Sequence, residues 1–321
     1  MNVWRLQTNT DSKTGSKIAD LCLNNNMIAM GWSLKDSHLP ANHSHLINER
    51  RNIVTFDDYI KFIEQHEIYG GKISSNVRRM HEISNNDLVW MRYNGIYYLG
   101  KFTESSQWLY NADQPFLDQD ASNQVNNVEW HRAGDENDVP GAIATALIRG
   151  CTFCRINKEG VLEFSQLKYN ELTHSNTYDV KMNKSPGVFY SLLSTDDCED
   201  LLCNWLYHEY NYQVMPSTNK KSTELYECVL KCPKSGKSIY IQVKAGETDI
   251  CYEDYLELEG DIYLFTTKGI ITDKYGKKAS SLPQNIHAVS PDKLYNFAFD
   301  TKSKNYLSNS ISKWVDYLNT H

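Results

Sequence analysis

The chain has 321 residues, an apolar fraction of 40% and a formal net charge of −7, values typical of a folded protein with room for two domains. The negative charge argues against a protein that coats nucleic acid through bulk positive charge. Because no apolar run reaches a membrane-spanning length of about eighteen residues and the N-terminus is polar, we expect a soluble, cytoplasmic protein without a membrane segment or signal peptide.

The first half of the chain alternates short helices and strands. Helices are predicted at 16–25, 56–64, 75–83 and after Pro140, and strands at 27–30, 87–93, 96–102, 128–131 and 151–156. Thr55 and Asp58 have the spacing of a helix capping box. Asn94-Gly95 is the dipeptide most typical of a tight hairpin turn. These elements predict a small, strongly bent sheet surrounded by helices.

Three segments of this half resemble one known superfamily. They are Ile28-Ala-Met-Gly-Trp32, Asp87-Leu-Val-Trp90 and Tyr97-Tyr-Leu-Gly-Lys-Phe102, in that order. The pattern is similar to the PUA-like superfamily in its EVE and YTH branches, and the resemblance covers residues 1–156. It implies an EVE-like bent β-barrel with helices that holds a modified or flipped base in an aromatic cage.

Carried onto this sequence, the resemblance implies four cage candidates. Trp32 follows a glycine and precedes a polar loop, so it matches one cage wall. Trp108 follows a polar segment and is the second candidate wall. Trp90 or Tyr93 would close the pocket. For Trp90 a place in the core is the competing interpretation, because it lies within an apolar strand pattern.

The segment 157–187 has mixed polarity and ends at Ser185-Pro186-Gly187, which predicts a linker region between two domains. A second domain is therefore expected at 188–321. Its first long helix is predicted at 195–206, where a Ser/Thr/Asp cap precedes apolar residues at helical spacing.

A hairpin with three polar residues on one face follows this helix. Its strands are predicted at 226–230 and 239–246, and period-two alternation places Gln242 and Lys244 side by side with Glu227 on the neighbouring strand. A carboxylate and an amide oxygen can hold a hard divalent cation, and an ammonium group can orient water and offset phosphate charge. The competing interpretation is the solvated face of an ordinary amphipathic hairpin.

The hairpin resembles the core of the PD-(D/E)XK nuclease superfamily, in the variant that reads Glu…Gln-x-Lys. The resemblance implies a restriction-endonuclease-like α/β/α domain in which Glu227, Gln242 and Lys244 are catalytic. It adds Glu199 as an acid from the preceding helix, and it assigns Mg²⁺, or Mn²⁺ as an alternative, to Glu227 and Gln242. The sequence departs from the commonest pattern because Gln242 is a neutral ligand.

Together the two resemblances imply a modification-dependent, type IV-like restriction endonuclease of mixed α+β and α/β class. It would recognise a modified base, such as a methylated one, in double-stranded DNA and hydrolyse phosphodiester bonds in defence against phage or foreign DNA. One such site cuts one strand, so a homodimer is expected, at least on DNA. The alternative function is a non-catalytic protein that binds modified RNA or DNA through a degenerate nuclease fold, and Gln242 keeps it open.

Three weaker signals remain. Arg50-Arg51, Arg78-Arg79 and Lys220-Lys221 are candidate backbone contacts for DNA. The segment 234–238 contains Gly-Lys-Ser, but it lacks the earlier glycine of a phosphate-binding loop and no helix follows it, so no nucleotide triphosphate is expected. The eight cysteines indicate reduced thiols, and a zinc knuckle at Cys151-x-x-Cys154 is disfavoured because that segment reads as a strand.

Overall fold

The computed structural model describes residues 1–8, 15–40, 44–148, 150–216 and 225–321. Contacts between these residues divide the chain into two compact units. The first unit holds residues 1–139 and 143–180, and the second holds 140–142 and 181–321. Each unit mixes helices with sheets, so the expected mixed α/β class is confirmed. Among the described residues no helix is both long and apolar enough to cross a membrane.

The first unit contains eight strands and, with the helix that follows Pro140, seven α-helices among its described residues. The strands are β1 Val3–Leu6, β2 Ile28–Met30, β3 Leu88–Tyr93, β4 Ile96–Phe102, β5 Trp108–Tyr110, β6 Asn123–Val125, β7 Val128–Gly134 and β8 Phe153–Arg155. The helices are α1 Gly15–Asn24, α2 Ser44–Glu49, α3 Phe56–Gln65, α4 Ser75–His81, α5 Gln114–Asp118, α6 Gly141–Ile148 and α7 Val161–Thr173.

Two sheets organise the first unit. The five-stranded sheet has the order β7-β4-β3-β1-β8, in which β1 is parallel to β3 and antiparallel to β8, and the three-stranded sheet has the order β2-β6-β5. The Asn94-Gly95 turn joins β3 to β4 with both residues at positive φ, as predicted. Within the described residues both sheets are open, so the expected barrel is corrected to two open sheets that share one apolar core.

Helix α7 lies inside the segment expected to be a linker, 157–187, and belongs to the first unit. Its Ser165 hydroxyl accepts a hydrogen bond of 2.9 Å from Trp90 Nε1. Its Tyr169 hydroxyl donates to Glu129 Oε2 on β7 at 2.7 Å. These contacts attach the helix to the five-stranded sheet, and the boundary between the units falls at 180/181.

The second unit is built on a mixed five-stranded sheet of order β15-β13-β11-β10-β9. Strands β11, β13 and β15 run parallel, and β10 is antiparallel to both β11 and β9. The strands are β9 Gln213–Val214, β10 Cys228–Lys231, β11 Ser238–Lys244, β12 Ile250–Cys251, β13 Asp261–Thr266, β14 Ile271–Thr272 and β15 Ile286–Val289. The helices are α8 Pro186–Leu192, α9 Thr195–Tyr210, α10 Pro291–Phe299 and α11 Asn309–Thr320.

Local sequence signals account for the elements that frame the β10–β11 hairpin. Helix α9 begins with a capping box, since the Ser194 hydroxyl accepts from Asp197 N and the Asp197 carboxylate accepts from Ser194 N. Strand β11 alternates between two faces: Ile239, Ile241 and Val243 are fully buried, whereas the even positions carry the polar residues. The predicted helix and hairpin are both confirmed.

Candidate active site and the Trp32 cavity

The β10–β11 hairpin brings three of the predicted site residues into direct contact. Glu227 lies immediately before β10, and its backbone N–H donates to Ile241 O at 2.9 Å, which extends the strand pairing by one residue. Gln242 Nε2 donates to Glu227 Oε1 at 2.9 Å, and Lys244 Nζ lies 3.5 Å from the same oxygen. The three side chains therefore share one face, as the alternation predicts.

Gln242 is the buried member of this group. Its side chain is 1% exposed, whereas those of Glu227 and Lys244 are 27% and 39% exposed. The amide nitrogen is satisfied by Glu227, but the amide oxygen Oε1 is buried and has no hydrogen-bond partner among the described residues. Because leaving a buried acceptor unpaired costs about 1–3 kcal/mol, Oε1 is available to a further partner such as water or a cation.

Glu199 on helix α9 interacts electrostatically with Glu227 and Lys244. Partial burial, together with the nearby negative charge of Glu227, raises the pKa of Glu199 to about 7; the positive charge of Lys244 acts in the opposite direction. A carboxyl group whose charge is disfavoured by a second carboxylate is a group that a cation would stabilise. We call Glu199, Glu227, Gln242 and Lys244 the Glu227 cluster.

The donor set of the Glu227 cluster fits a hard divalent cation. It offers two carboxylates and one amide oxygen, which are the ligand types that Mg²⁺ and Mn²⁺ prefer. A bound cation would give Gln242 Oε1 a partner and would favour the ionised form of Glu199. Within the described residues no group of three or more His, Cys, Asp or Glu side chains could hold a metal ion, so a cation at this place would need Gln242 among its ligands.

The first unit contains a separate cavity of about 210 Å³ beside Trp32. Its volume is below the roughly 300–1,000 Å³ of drug-sized sites, which suits a ligand of one or two rings. Its walls combine apolar side chains with polar ones. The lining residues are Gln7, Thr8, Ile18, Ala29, Met30, Gly31, Trp32, Lys35, Asn76, Asp120 and Thr152. We call this space the Trp32 cavity.

Trp32 is held at the cavity in an uncommon backbone conformation. Its φ is +65°, a left-handed value that is rare for a bulky side chain. Its carbonyl accepts from Tyr59 OH at 2.8 Å and from Asn123 Nδ2 at 3.1 Å, which fixes this backbone. The ring is 37% exposed and meets Tyr69 edge to face at 4.9 Å. Strain of this kind is common at binding sites, and Trp32 is the one aromatic residue among the described residues that line the cavity.

Polar groups lie around the same cavity. The Asp120 carboxylate accepts from Ser33 N at 3.2 Å and packs so closely on Gly31 that a side chain there would meet Asp120 Oδ2 at 2.5 Å. Gln7 Oε1 and Thr8 Oγ1 are buried and have no partner among the described residues. The cavity therefore offers acceptors for the polar edge of a planar ligand and apolar contact at Met30.

The other three cage candidates lie elsewhere. Trp90 is fully buried and donates to Ser165, so its assignment to a pocket is corrected to the core, because a ring without exposed surface cannot stack on a ligand. Trp108 lies outside the cavity lining and packs edge to face on Phe56 and Tyr59. Tyr93 also lies outside the lining. The structure thus brings only Trp32 of the four to the cavity.

Two residues at this site were missed by reasoning from the sequence. Asp120 lines the cavity and Tyr69 packs on the Trp32 ring; both are distant from Trp32 in the chain and both have positive φ. No periodicity marks such residues. The one usable signal is Gly31, whose missing side chain makes room for the Asp120 carboxylate.

The candidate DNA contacts differ in character. Arg50 is buried and donates to Leu34 O and Asp36 Oδ1, so it is structural. Arg79 donates to the Phe153 carbonyl, whereas Arg51 and Arg78 are exposed. The Lys220-Lys221 pair lies outside the described residues. The Gly-Lys-Ser segment follows the turn after β10 and ends at Ser238, the first residue of β11. All eight cysteines are free thiols.

Comparison of the chain with models of known protein families, and with curated protein sequences, gave no match in either case. Function is therefore inferred from the chemistry of the two sites. The Glu227 cluster offers oxygen ligands beside a lysine, and the Trp32 cavity offers an aromatic ring beside polar acceptors.

Proposed function

We propose that this protein is a modification-dependent DNA endonuclease in which the Glu227 cluster cuts and the Trp32 cavity holds the modified base. One observation carries the proposal: Gln242 Oε1 is buried and unpartnered within the described residues, next to a carboxylate and a lysine on the same sheet face. An ordinary solvated hairpin face would leave this oxygen in water. A buried acceptor among acids instead favours a cation site.

The cluster has the groups that phosphodiester hydrolysis requires. Glu199, Glu227 and Gln242 would hold Mg²⁺ or Mn²⁺, which supplies Lewis-acid activation of water and of the phosphate. Lys244 is partly exposed and can place its ammonium group against a phosphate oxygen, where it offsets the charge that develops in the transition state. Glu227 positions Lys244 through their ion pair.

The Trp32 cavity supports the recognition half of the proposal. A base turned out of the duplex can stack on the partly exposed indole of Trp32, and its polar edge can meet Asp120 or the free oxygen of Gln7. Met30 and Ala29 give apolar contact to an added methyl group. Base contacts of this kind specify a site, whereas phosphate contacts position the protein.

The contacts of Glu227 Oε1 are also compatible with a second function, non-catalytic binding of modified nucleic acid. Gln242 Nε2 and Lys244 Nζ both donate hydrogen bonds to Glu227 Oε1. The Glu227 carboxylate therefore already has two partners without a cation. A protein that binds modified nucleic acid and uses the second unit only for docking would show the same contacts. The two functions differ in whether phosphodiester bonds are cut.

The proposal is tested with the full chain and matched duplexes that differ only in a modified base. We expect Mg²⁺-dependent cleavage of the modified duplex, loss of cleavage in Glu227→Gln, and full cleavage in Glu257→Gln, which removes an exposed acid of the same unit. Binding of the modified duplex without cleavage, in Mg²⁺ and in Mn²⁺, would favour the non-catalytic function instead.

A further inference from the structure

Two thiols of the first unit surround one guanidinium group. Arg5 Nε donates to Cys154 Sγ at 3.0 Å, and Arg5 Nη2 donates to Cys151 Sγ at 3.5 Å. Both sulfur atoms therefore lie against the same guanidinium group. Arg5 is buried, whereas both cysteines are partly exposed. A fixed positive charge therefore lies against two thiols that a small reagent can reach.

The sheet holds this arrangement in place. Arg5 on β1 is the cross-strand partner of Cys154 on β8. Cys151 precedes β8, and the backbone bends at Thr152, so the first cysteine returns towards the arginine. Gln7 N donates to the Thr152 carbonyl at 2.8 Å and fixes this bend. The pair is thus built into the edge of the five-stranded sheet.

The surroundings make the two thiols chemically different. Partial burial opposes ionisation of Cys151, but its hydrogen bonds with Cys154 and Arg5 and the charges of Arg5 and Arg79 outweigh this effect and lower its pKa. Burial and the hydrogen bond with Cys151 raise the pKa of Cys154. A thiolate beside a neutral thiol has the division of roles seen in a nucleophilic and a resolving cysteine.

We propose that Cys151 and Cys154 form a redox-active dithiol, which closes to an intramolecular disulfide on reaction with a hydroperoxide. The Cys151 thiolate attacks the peroxide, so that a sulfur–oxygen bond forms as the oxygen–oxygen bond breaks and the leaving oxygen takes a proton from water. Cys154 sulfur then attacks Cys151 sulfur, the sulfur–sulfur bond forms, and the hydroxyl leaves as water with the Cys154 proton. The peroxide gains the two electrons that the thiols lose.

A second cysteine pair provides an internal control. Cys203 and Cys228 have their sulfur atoms 3.7 Å apart in the second unit. Both are buried, and the hydrogen bond with Cys228 together with burial keeps the pKa of Cys203 well above its ordinary value. The two sulfur atoms of this pair are therefore close together, but burial shields both from reagents, and Cys203 has little thiolate character. We expect it to stay reduced under conditions that oxidise Cys151 and Cys154.

The test uses the reduced full chain, hydrogen peroxide, alkylation of the remaining thiols and peptide mass spectrometry. We expect a disulfide between Cys151 and Cys154, with Cys203 and Cys228 alkylated only after unfolding. In Cys154→Ser, Cys151 should be trapped as a sulfenic acid by dimedone, whereas Cys151→Ser should give no such adduct at Cys154. Cys251 is a partly exposed thiol of the second unit and serves as the comparison. Oxidation of Cys251 before Cys151 would overturn the proposal.

The role of Arg5 has a separate readout. In Arg5→Gln the pH profile of Cys151 alkylation by iodoacetamide should move to higher pH, so that the rate at neutral pH falls several-fold; Arg5→Lys should keep part of the effect because it keeps the charge. If Arg5→Gln fails to fold, the test is a comparison of the alkylation profiles of Cys151 and Cys251 in the wild type. A Cys151 profile that coincides with that of Cys251 would contradict the assignment.

Discussion

The substitution Glu199→Gln tests the electrostatics of the Glu227 cluster. With no metal present, the pKa of Glu199 lies near 7, raised by partial burial and by the charge of Glu227. As pH rises through the range between its unfolded value and about 7, the unfolded chain releases this proton while the folded chain keeps it. The wild type therefore loses stability over that window, and Gln does not.

The structure sets the size of the effect. A pKa of about 7 in place of the usual 4.5 corresponds to about 3 kcal/mol, at about 1.4 kcal/mol per tenfold change in proton affinity. Because solvent screens this half-buried carboxyl, we expect Glu199→Gln to stabilise the second unit by about 1–2 kcal/mol at pH 8 and by clearly less at pH 5. The exposed control Glu257→Gln should change stability little at either pH.

The assay is urea unfolding in a chelating buffer, followed by hydrogen-exchange mass spectrometry so that peptides of residues 181–321 are read separately from the first unit. Addition of Mg²⁺ at pH 8 should reverse the order, because a cation stabilises the ionised wild type and not the amide. An equal effect of Glu199→Gln at both pH values would refute the reasoning, since it would mean that the pKa of Glu199 is not raised in the folded chain.

Three further results are expected. Gln242→Glu should lower the thermal midpoint at pH 8 without metal, because it puts a second carboxylate next to that of Glu227, and Mg²⁺ should restore the midpoint. A midpoint that does not change with Mg²⁺ would argue against a cation site. Trp32→Ala should weaken binding of a modified duplex by about ten- to hundredfold in fluorescence anisotropy, since stacking contributes roughly 1–3 kcal/mol. The control Tyr275→Ala, at an exposed ring, should leave this binding unchanged. Equal losses of affinity for modified and unmodified DNA would place recognition elsewhere. A fragment 1–180 should unfold cooperatively, whereas 1–156 should be destabilised because it lacks α7; equal stability of the two would contradict the packing of that helix on the sheet.

Signals that act over a few residues were readable from the sequence. The capping box at Thr55 and Asp58 and the turn at Asn94-Gly95 depend on neighbouring side chains and on local φ, so the structure repeats both. The alternation that puts Gln242 and Lys244 on one face is equally local, and the contact of both with Glu227 follows from it.

Contacts between distant parts of the chain were not readable. Trp90 has its partner Ser165 on a helix 75 residues further on, within a segment whose polarity suggested a linker. Asp120 reaches the Trp32 cavity from a turn that carries no periodic pattern. The burial that leaves Gln242 Oε1 without a partner in the described chain depends on packing from several elements, and polarity alone predicts a solvated residue.

The most direct measurement of the central claim is single-turnover cleavage of a modified duplex by the wild type and by Lys244→Ala, with binding of the same duplex measured in parallel. Lys244 is partly exposed and its side chain contacts Glu227, so its loss should leave the fold and DNA binding nearly intact. We expect Mg²⁺-dependent cutting by the wild type and a rate lower by about 10²–10³-fold in the variant, the size expected for loss of one group that stabilises transition-state charge. Cutting by Lys244→Ala at the wild-type rate would contradict the assignment of the Glu227 cluster as the active site.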